Sequence, residues 1–179
     1  MDIGRKKVSI NNRPETHLIG ESKQYIELAS HEDYLHHIVS LISQSRRIIQ
    51  IYSCDLPKLI FGSMEISAAL SSYLRSNRHS HIEVLLKDPQ LLTQRRLPLL
   101  GLNMRLSSVK IKKAHEDYCF AEQTILLFDK TAIIEKPEIS SLYGKACYND
   151  KARVKSQSLV FSDSWERASD DPDLREQLI

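Results

Sequence analysis

Two apolar runs, residues 124–128 and 131–136, stand on either side of Asp129-Lys130. Short runs rich in Ile, Leu and Phe and bounded by polar turn residues read as strands. So close a separation makes them a hairpin, although Asp-Lys is a weaker turn signal than Asp-Gly. A sheet therefore anchors the second half of the chain.

Helices alternate with strands before this hairpin. Ser30 followed by Asp33 resembles a capping box, and Tyr34, Leu35, Ile38, Leu41 and Ile42 then repeat at helical spacing. Residues 47–53 carry Ile48, Ile49 and Ile51 and read as a short buried strand. Ser63 is placed to cap a second helix, whose face is Ile66, Ala69, Leu70, Tyr73 and Leu74. A strand over 82–86 follows and ends at Lys87-Asp88-Pro89, where Asp before Pro suits the start of a helical turn. Arg95 and Arg96 read as loop, and Pro98 opens another helix. Residues 109–113 alternate so that Val109 and Ile111 share one face and Lys110 and Lys112 the other. This predicts a half-exposed, basic edge strand. Residues 140–149 read as loop, and Asp150 caps a last helix with Val154, Ser158, Phe161 and Trp165 on one side. The expected fold is α/β, a mixed sheet flanked by helices.

A length of 179 residues favours one domain. The expected division is a loose arm over 1–24, an α/β domain over 25–169 and an acidic tail over 170–179. Met1 to Arg13 is polar and basic, with no apolar core of a secretory signal. No apolar run reaches the ~20 residues that cross a bilayer. The expectation is a cytoplasmic protein without membrane insertion. Three cysteines, Cys54, Cys119 and Cys147, make neither a disulfide framework nor a Cys-x-x-Cys zinc pattern, so no metal and no cofactor are expected. His31, His36 and His37 read as surface histidines around the first helix.

Net charge is +2, unevenly spread. Residues 75–113 hold nine Lys and Arg against Glu83 and Asp88, whereas residues 162–179 hold six acids against Arg167 and Arg175. Such asymmetry reads either as a solvated, self-pairing surface or as a patch for an anionic partner. Lys87, Arg95, Arg96, Lys110 and Lys112 are its candidate contacts, and nucleic acid is a candidate ligand. Aromatic residues are few and lie mostly on apolar faces, which leaves few platforms for base stacking. Asp55 lies just past the strand over 47–53, where ligands of open α/β sheets gather; it is equally placed to make an Asx turn. His115-Glu116-Asp117-Tyr118 is the densest polar cluster. Either His115 serves as a base that Glu116 orients, or the cluster is a solvated loop. A Walker phosphate loop, a dinucleotide Gly-x-Gly fingerprint and a Gly-x-Ser-x-Gly elbow are all absent from the sequence.

The order of elements from Ile48 onward resembles one half of a phospholipase D-type protein. Ile125-Leu126-Leu127-Phe128-Asp129, then Ala132-Ile133-Ile134, is similar to that superfamily's His-x-Lys-(x)4-Asp strand and the strand after it. Phe161 and Trp165 resemble the aromatics of its closing helix. The resemblance implies a histidine that attacks phosphorus and a lysine that binds phosphate. Counting back from Asp129, Thr124 holds the lysine position and Glu122 the histidine position. A carboxylate there repels a phosphodiester and replaces imidazole poorly. The implied protein is a non-catalytic half-fold that binds a protein partner or a phosphate-containing ligand. A remodelled phosphodiesterase or transferase using His115 or Glu122 is the alternative. Because phospholipase D-type sites join two halves, a homodimer is implied too. The segments Asp88-Pro89, Glu116-Asp117-Tyr118, Trp165-Glu166-Arg167-Ala168-Ser169 and Asp171-Pro172-Asp173-Leu174-Arg175 are also similar to an uncharacterised bacterial domain. That domain sometimes follows a GNAT-type acetyltransferase, which implies an acetyltransferase as a partner.

Overall fold

A computed structural model describes residues 17–54, 56–118 and 122–171. Seven strands form one sheet, in the order β1 (Tyr25–Leu28), β7 (Gly144–Cys147), β6 (Ala132–Lys136), β5 (Thr124–Phe128), β2 (Ile48–Ser53), β3 (His81–Leu86) and β4 (Val109–Lys113). The pairs β2–β3 and β3–β4 are parallel and the other four are antiparallel. The carboxyl ends of β1, β2, β3, β4 and β6 therefore lie along one side of the sheet. The expected mixed α/β sheet with flanking helices is what forms.

Two unequal layers cover the sheet. On one face, α1 (His31–Gln44), α3 (Met64–Ser76) and α5 (Pro98–Arg105) bury Ile38, Leu41, Leu70 and Leu102 against Ile49, Val84, Leu126 and Ile134. The short helices α2 (Lys58–Phe61) and α4 (Gln90–Gln94) close this core through Phe61 and Leu92. On the other face α6 (Lys151–Arg167) seats Val154 on Ile125, Leu127 and Ile133, and Phe161 on Tyr52 and Leu85. Strand β5 is buried along its whole length because it is covered on both faces.

The caps fall where the sequence puts them. Ser30 and Asp33 form a reciprocal capping box on α1. The Ser63 hydroxyl accepts from the Ile66 N–H of α3, and the Asp150 carboxylate accepts from the Arg153 N–H of α6.

Three sequence expectations change. Residues 140–149 are not all loop, because Gly144–Cys147 is strand β7. Its sequence, Gly-Lys-Ala-Cys, carries little intrinsic strand preference, and pairing with β6 and β1 imposes the extended form. Strand β1 likewise escapes a periodicity reading, being four residues long at the sheet edge. His37 is a core residue rather than a surface one: it is 2% exposed, and its Nδ1 lies 3.0 Å from the Tyr148 hydroxyl. His17, in the stretch read as an arm, packs on the same tyrosine, and Gln44 ties down the backbone of His17 and Ile19.

Candidate functional site

At the carboxyl side of the sheet, a polar row replaces the apolar pattern. Antiparallel register sets Ser53 of β2 beside Thr124 of β5, and Thr124 beside Lys136 of β6. Directly paired residues point to one face, here the face of α1 and α3. The Ser53 and Thr124 hydroxyl oxygens are 2.8 Å apart, and Ser53 Oγ also accepts from the Leu56 N–H at 3.0 Å. The Lys136 ε-amine donates to the carbonyls of Glu138 and Ile139, at 2.6 and 2.9 Å. All three side chains are buried.

One register step beyond the Glu135–Lys145 pair brings Gly144 beside Lys136. The hydroxyl of Tyr34 stands over that glycine and close to the Glu135 carbonyl. Tyr34 is buried, and its hydroxyl has no hydrogen-bond partner among the described residues. Burial, then the nearby Asp33 and Tyr143, push its pKa well above the ordinary tyrosine value, so the group is a proton donor at neutral pH.

Most of the residues singled out in the sequence reach this same side of the sheet, because each follows the carboxyl end of a strand or precedes β5. Lys87 and Arg96 are exposed there. Arg95 is half-buried and donates to the Leu56 carbonyl at 2.7 Å. His115 is exposed, its Nδ1 3.7 Å from an Asp117 carboxylate oxygen and 3.3 Å from the Asp117 N–H. Glu122 is exposed. Tyr118 closes a single 3-10 turn over Glu116–Tyr118, its side chain outside the described part, and Asp55 lies outside the described residues.

Lys110 and Lys112 do not join this group. Period two turns them to the α6 face of edge strand β4, away from the polar row. The Lys112 amine lies 4.8 Å from the Trp165 ring centroid and 3.4 Å from the Trp165 carbonyl, which makes it a tether for α6. Asp129 is also remote from Thr124, at the far end of β5. Its carboxylate accepts from the backbone N–H groups of Arg46, Arg47 and Ile48, at 2.9, 2.8 and 3.1 Å. It fastens the entry to β2.

Ser53, Lys136 and Tyr34 were not among the residues singled out from the sequence. The signal for Lys136 was present: period two puts Ala132, Ile134 and Lys136 on one face, and the hairpin register pairs the last with Thr124. Among the described residues no three His, Cys, Asp or Glu side chains cluster to hold a metal ion.

A family model described as "Domain of unknown function (DUF7931)" matches residues 30–177. The chain belongs to that family. No curated protein matches the sequence. Among solved structures, this DUF7931 chain is similar to NucT from Helicobacter pylori, at 12% identity and TM-score 0.55, over 83% of this chain and 100% of that one. Nuc from Salmonella typhimurium, a phospholipase D family member, aligns at 16% identity and TM-score 0.54, over 83% and 97%. TrmBL2, described as an archaeal chromatin protein with a novel mode of DNA binding, aligns at 10% identity and TM-score 0.61. That alignment spans 83% of this chain but 55% of TrmBL2, so the chain covers about half of its length. At these identities the likeness is one of fold, and the fold is phospholipase D-like.

Proposed function

We propose that this chain is a non-catalytic phospholipase D-like domain that binds a phosphate-containing ligand at the carboxyl side of its sheet. The observation that carries the reading is the row Ser53–Thr124–Lys136. It offers hydroxyls and an amine, the groups that hold phosphate oxygens, and it has no imidazole to attack phosphorus. The position that the phospholipase D motif gives to histidine is the exposed Glu122. His115 is engaged with Asp117 in a solvent-exposed loop. The DNA binding stated for TrmBL2 supports an anionic ligand without fixing which one.

The test is a binding panel of DNA, RNA and small phosphate esters at two salt concentrations, run beside a hydrolysis assay with bis-p-nitrophenyl phosphate. Saturable binding at low salt without turnover is expected. No binding at low salt sinks the proposal. Turnover abolished by His115→Ala replaces it with a remodelled phosphodiesterase. The proposed compartment is the cytoplasm; no helix among the described residues is long and apolar enough to cross a membrane. An acetyltransferase partner, implied by sequence resemblance, is tested by co-purification, and a homodimer by sedimentation.

A further inference from the structure

We infer that the site takes the single phosphate group of a small ester, held by Tyr34, Thr124 and Lys136, and that polynucleotide strands do not bind there. This rests on the proposed phosphate-binding reading of the same side of the sheet and narrows its ligand.

The donors come first. Across the sheet the row reads Lys113, Leu86, Ser53, Thr124, Lys136, with Gly144 beyond. Its polar centre contains no carboxylate. Glu135, next in sequence to Lys136, points to the opposite face, where Arg153 and Lys145 pair with it. A lysine amine has three donor positions, and among the described residues Lys136 uses two, on the carbonyls of Glu138 and Ile139. Tyr34, 2% exposed as a residue, adds a buried hydroxyl without a partner among the described residues. A buried donor left unpaired in a native fold calls for an explanation. The backbone opposite it is a glycine, whose missing Cβ leaves the hydroxyl its place. Tyrosine, threonine and lysine side chains set on neighbouring strands at one end of a row suit a tetrahedral oxyanion, which presents several acceptor oxygens.

Size and valence follow from the surroundings. The loops on this side carry Asp88, Glu116, Asp117, Glu122 and Glu138, beside the cations Lys87, Arg95, Arg96 and Lys113, so the rim is mixed in charge. Tyr34, Thr124 and Lys136 are buried, so they can enclose one phosphate group, while the further phosphates of a strand would meet a rim without a net cationic field. Strand binders also need cations tracking the backbone and aromatics that stack bases. Trp165 lies on the other face, stacked on Phe161, and Lys110 and Lys112 face that way too. Beside its bonds to the Glu138 and Ile139 carbonyls, Lys136 keeps a third donor position for the ligand.

The experiment is calorimetric titration with inorganic phosphate, glycerol 3-phosphate and a short single-stranded DNA. It uses the full chain and its Tyr34→Phe and Lys136→Met variants. Glycerol 3-phosphate is expected to bind with a log–log salt slope of about one, and the DNA no more tightly. Tyr34→Phe keeps the ring and is expected to weaken the ester about tenfold, the worth of one hydrogen bond to a charged group; Lys136→Met weakens it further. Tyr34→Phe alone decides the matter should Lys136→Met fail to fold. DNA binding tighter and steeper in salt than the ester overturns the small-ester inference and leaves the broader phosphate reading standing. Unchanged affinity in Tyr34→Phe overturns the assigned donors alone. Absence of binding by every phosphate probe overturns both.

Discussion

The Tyr34 hydroxyl occupies the space that a Cβ on Gly144 would fill, and the Glu135 carbonyl oxygen would lie 2.6 Å from that same Cβ. The first obstacle is a side chain and the second is backbone within the β6–β7 pair. Gly144→Ala is therefore expected to lower stability by about 2–3 kcal/mol, at the upper part of the range for overpacking a core. Tyr34→Phe in the same chain should restore only part of it, since the carbonyl contact remains. Denaturant titration of the two single variants and the double variant checks this; full restoration would show that the hydroxyl was the only obstacle.

Tyr34→Phe by itself should leave the unliganded protein as stable as before or more stable by up to about 1 kcal/mol. An unsatisfied buried hydroxyl carries a desolvation cost that phenylalanine avoids. Thermal melts without ligand test this, and a loss of more than about 1 kcal/mol would mean that the hydroxyl already has a partner. A stabilised variant that binds phosphate less well is the signature of a group retained for function.

Asp129 adopts a left-handed backbone, with φ of +53°, and its carboxylate collects three N–H groups from 46–48. Asparagine keeps one acceptor oxygen and tolerates this conformation, whereas alanine does neither. Asp129→Ala is expected to cost about 3 kcal/mol and Asp129→Asn about half as much, from the loss of charge-assisted bonds. Equal urea midpoints for the two variants would count against the cap.

The Asp150 carboxyl is held below the ordinary carboxylate value, chiefly by the hydrogen bond from the Tyr25 hydroxyl and then by the Arg153 N–H. A folded-state pKa below the unfolded one gives stability that is present above about pH 4 and is lost as pH falls through the depressed value. The affected element is α6, whose first turn this side chain caps. Hydrogen exchange in the first turn of α6 should rise as pH drops below about 4, after correction for intrinsic rates. In Asp150→Asn that acid dependence should largely vanish. An equally steep acid response in the variant would place its origin elsewhere.

The hairpin over 124–136, the caps of α1, α3 and α6 and the basic edge strand were legible in the sequence, because each rests on local chemistry. Apolar alternation, a hydroxyl or carboxylate at an N-cap, and lysines on every second residue need no partner to be seen. Strands β1 and β7 were not legible: Tyr25–Leu28 and Gly144–Cys147 are four residues each and become strands only by pairing. The site divides in the same way. Arg95, Arg96, Lys87, His115 and Glu122 could be placed from loop position alone. The Ser53–Thr124–Lys136 row needs strand order and register, and Tyr34 needs the packing of α1 over β7. Asp129, the anchor of the sequence resemblance, serves the turn before β2 with its side chain.

Lys112 separates a binding cation from a structural one. It was grouped in the sequence with Arg95, Arg96 and Lys110 as a candidate contact for an anion. Its amine instead lies over Trp165 and close to the carbonyl of that residue, near the end of α6. Beyond that helix, Lys113 and Ser169 exchange backbone hydrogen bonds of 2.8 and 3.0 Å, which fasten the following segment to the edge of β4. Lys112→Met keeps much of the side chain's apolar length and removes the charge. It should cost about 0.5–1 kcal/mol, the worth of a partly exposed cation–π contact, and shift the emission of Trp165, the only tryptophan. Phosphate-ester affinity should stay within about twofold of the parent, because the site lies on the other face and screening weakens a distant charge. A large loss of affinity with unchanged Trp165 emission would move the ligand to the α6 side of β4 and away from Lys136.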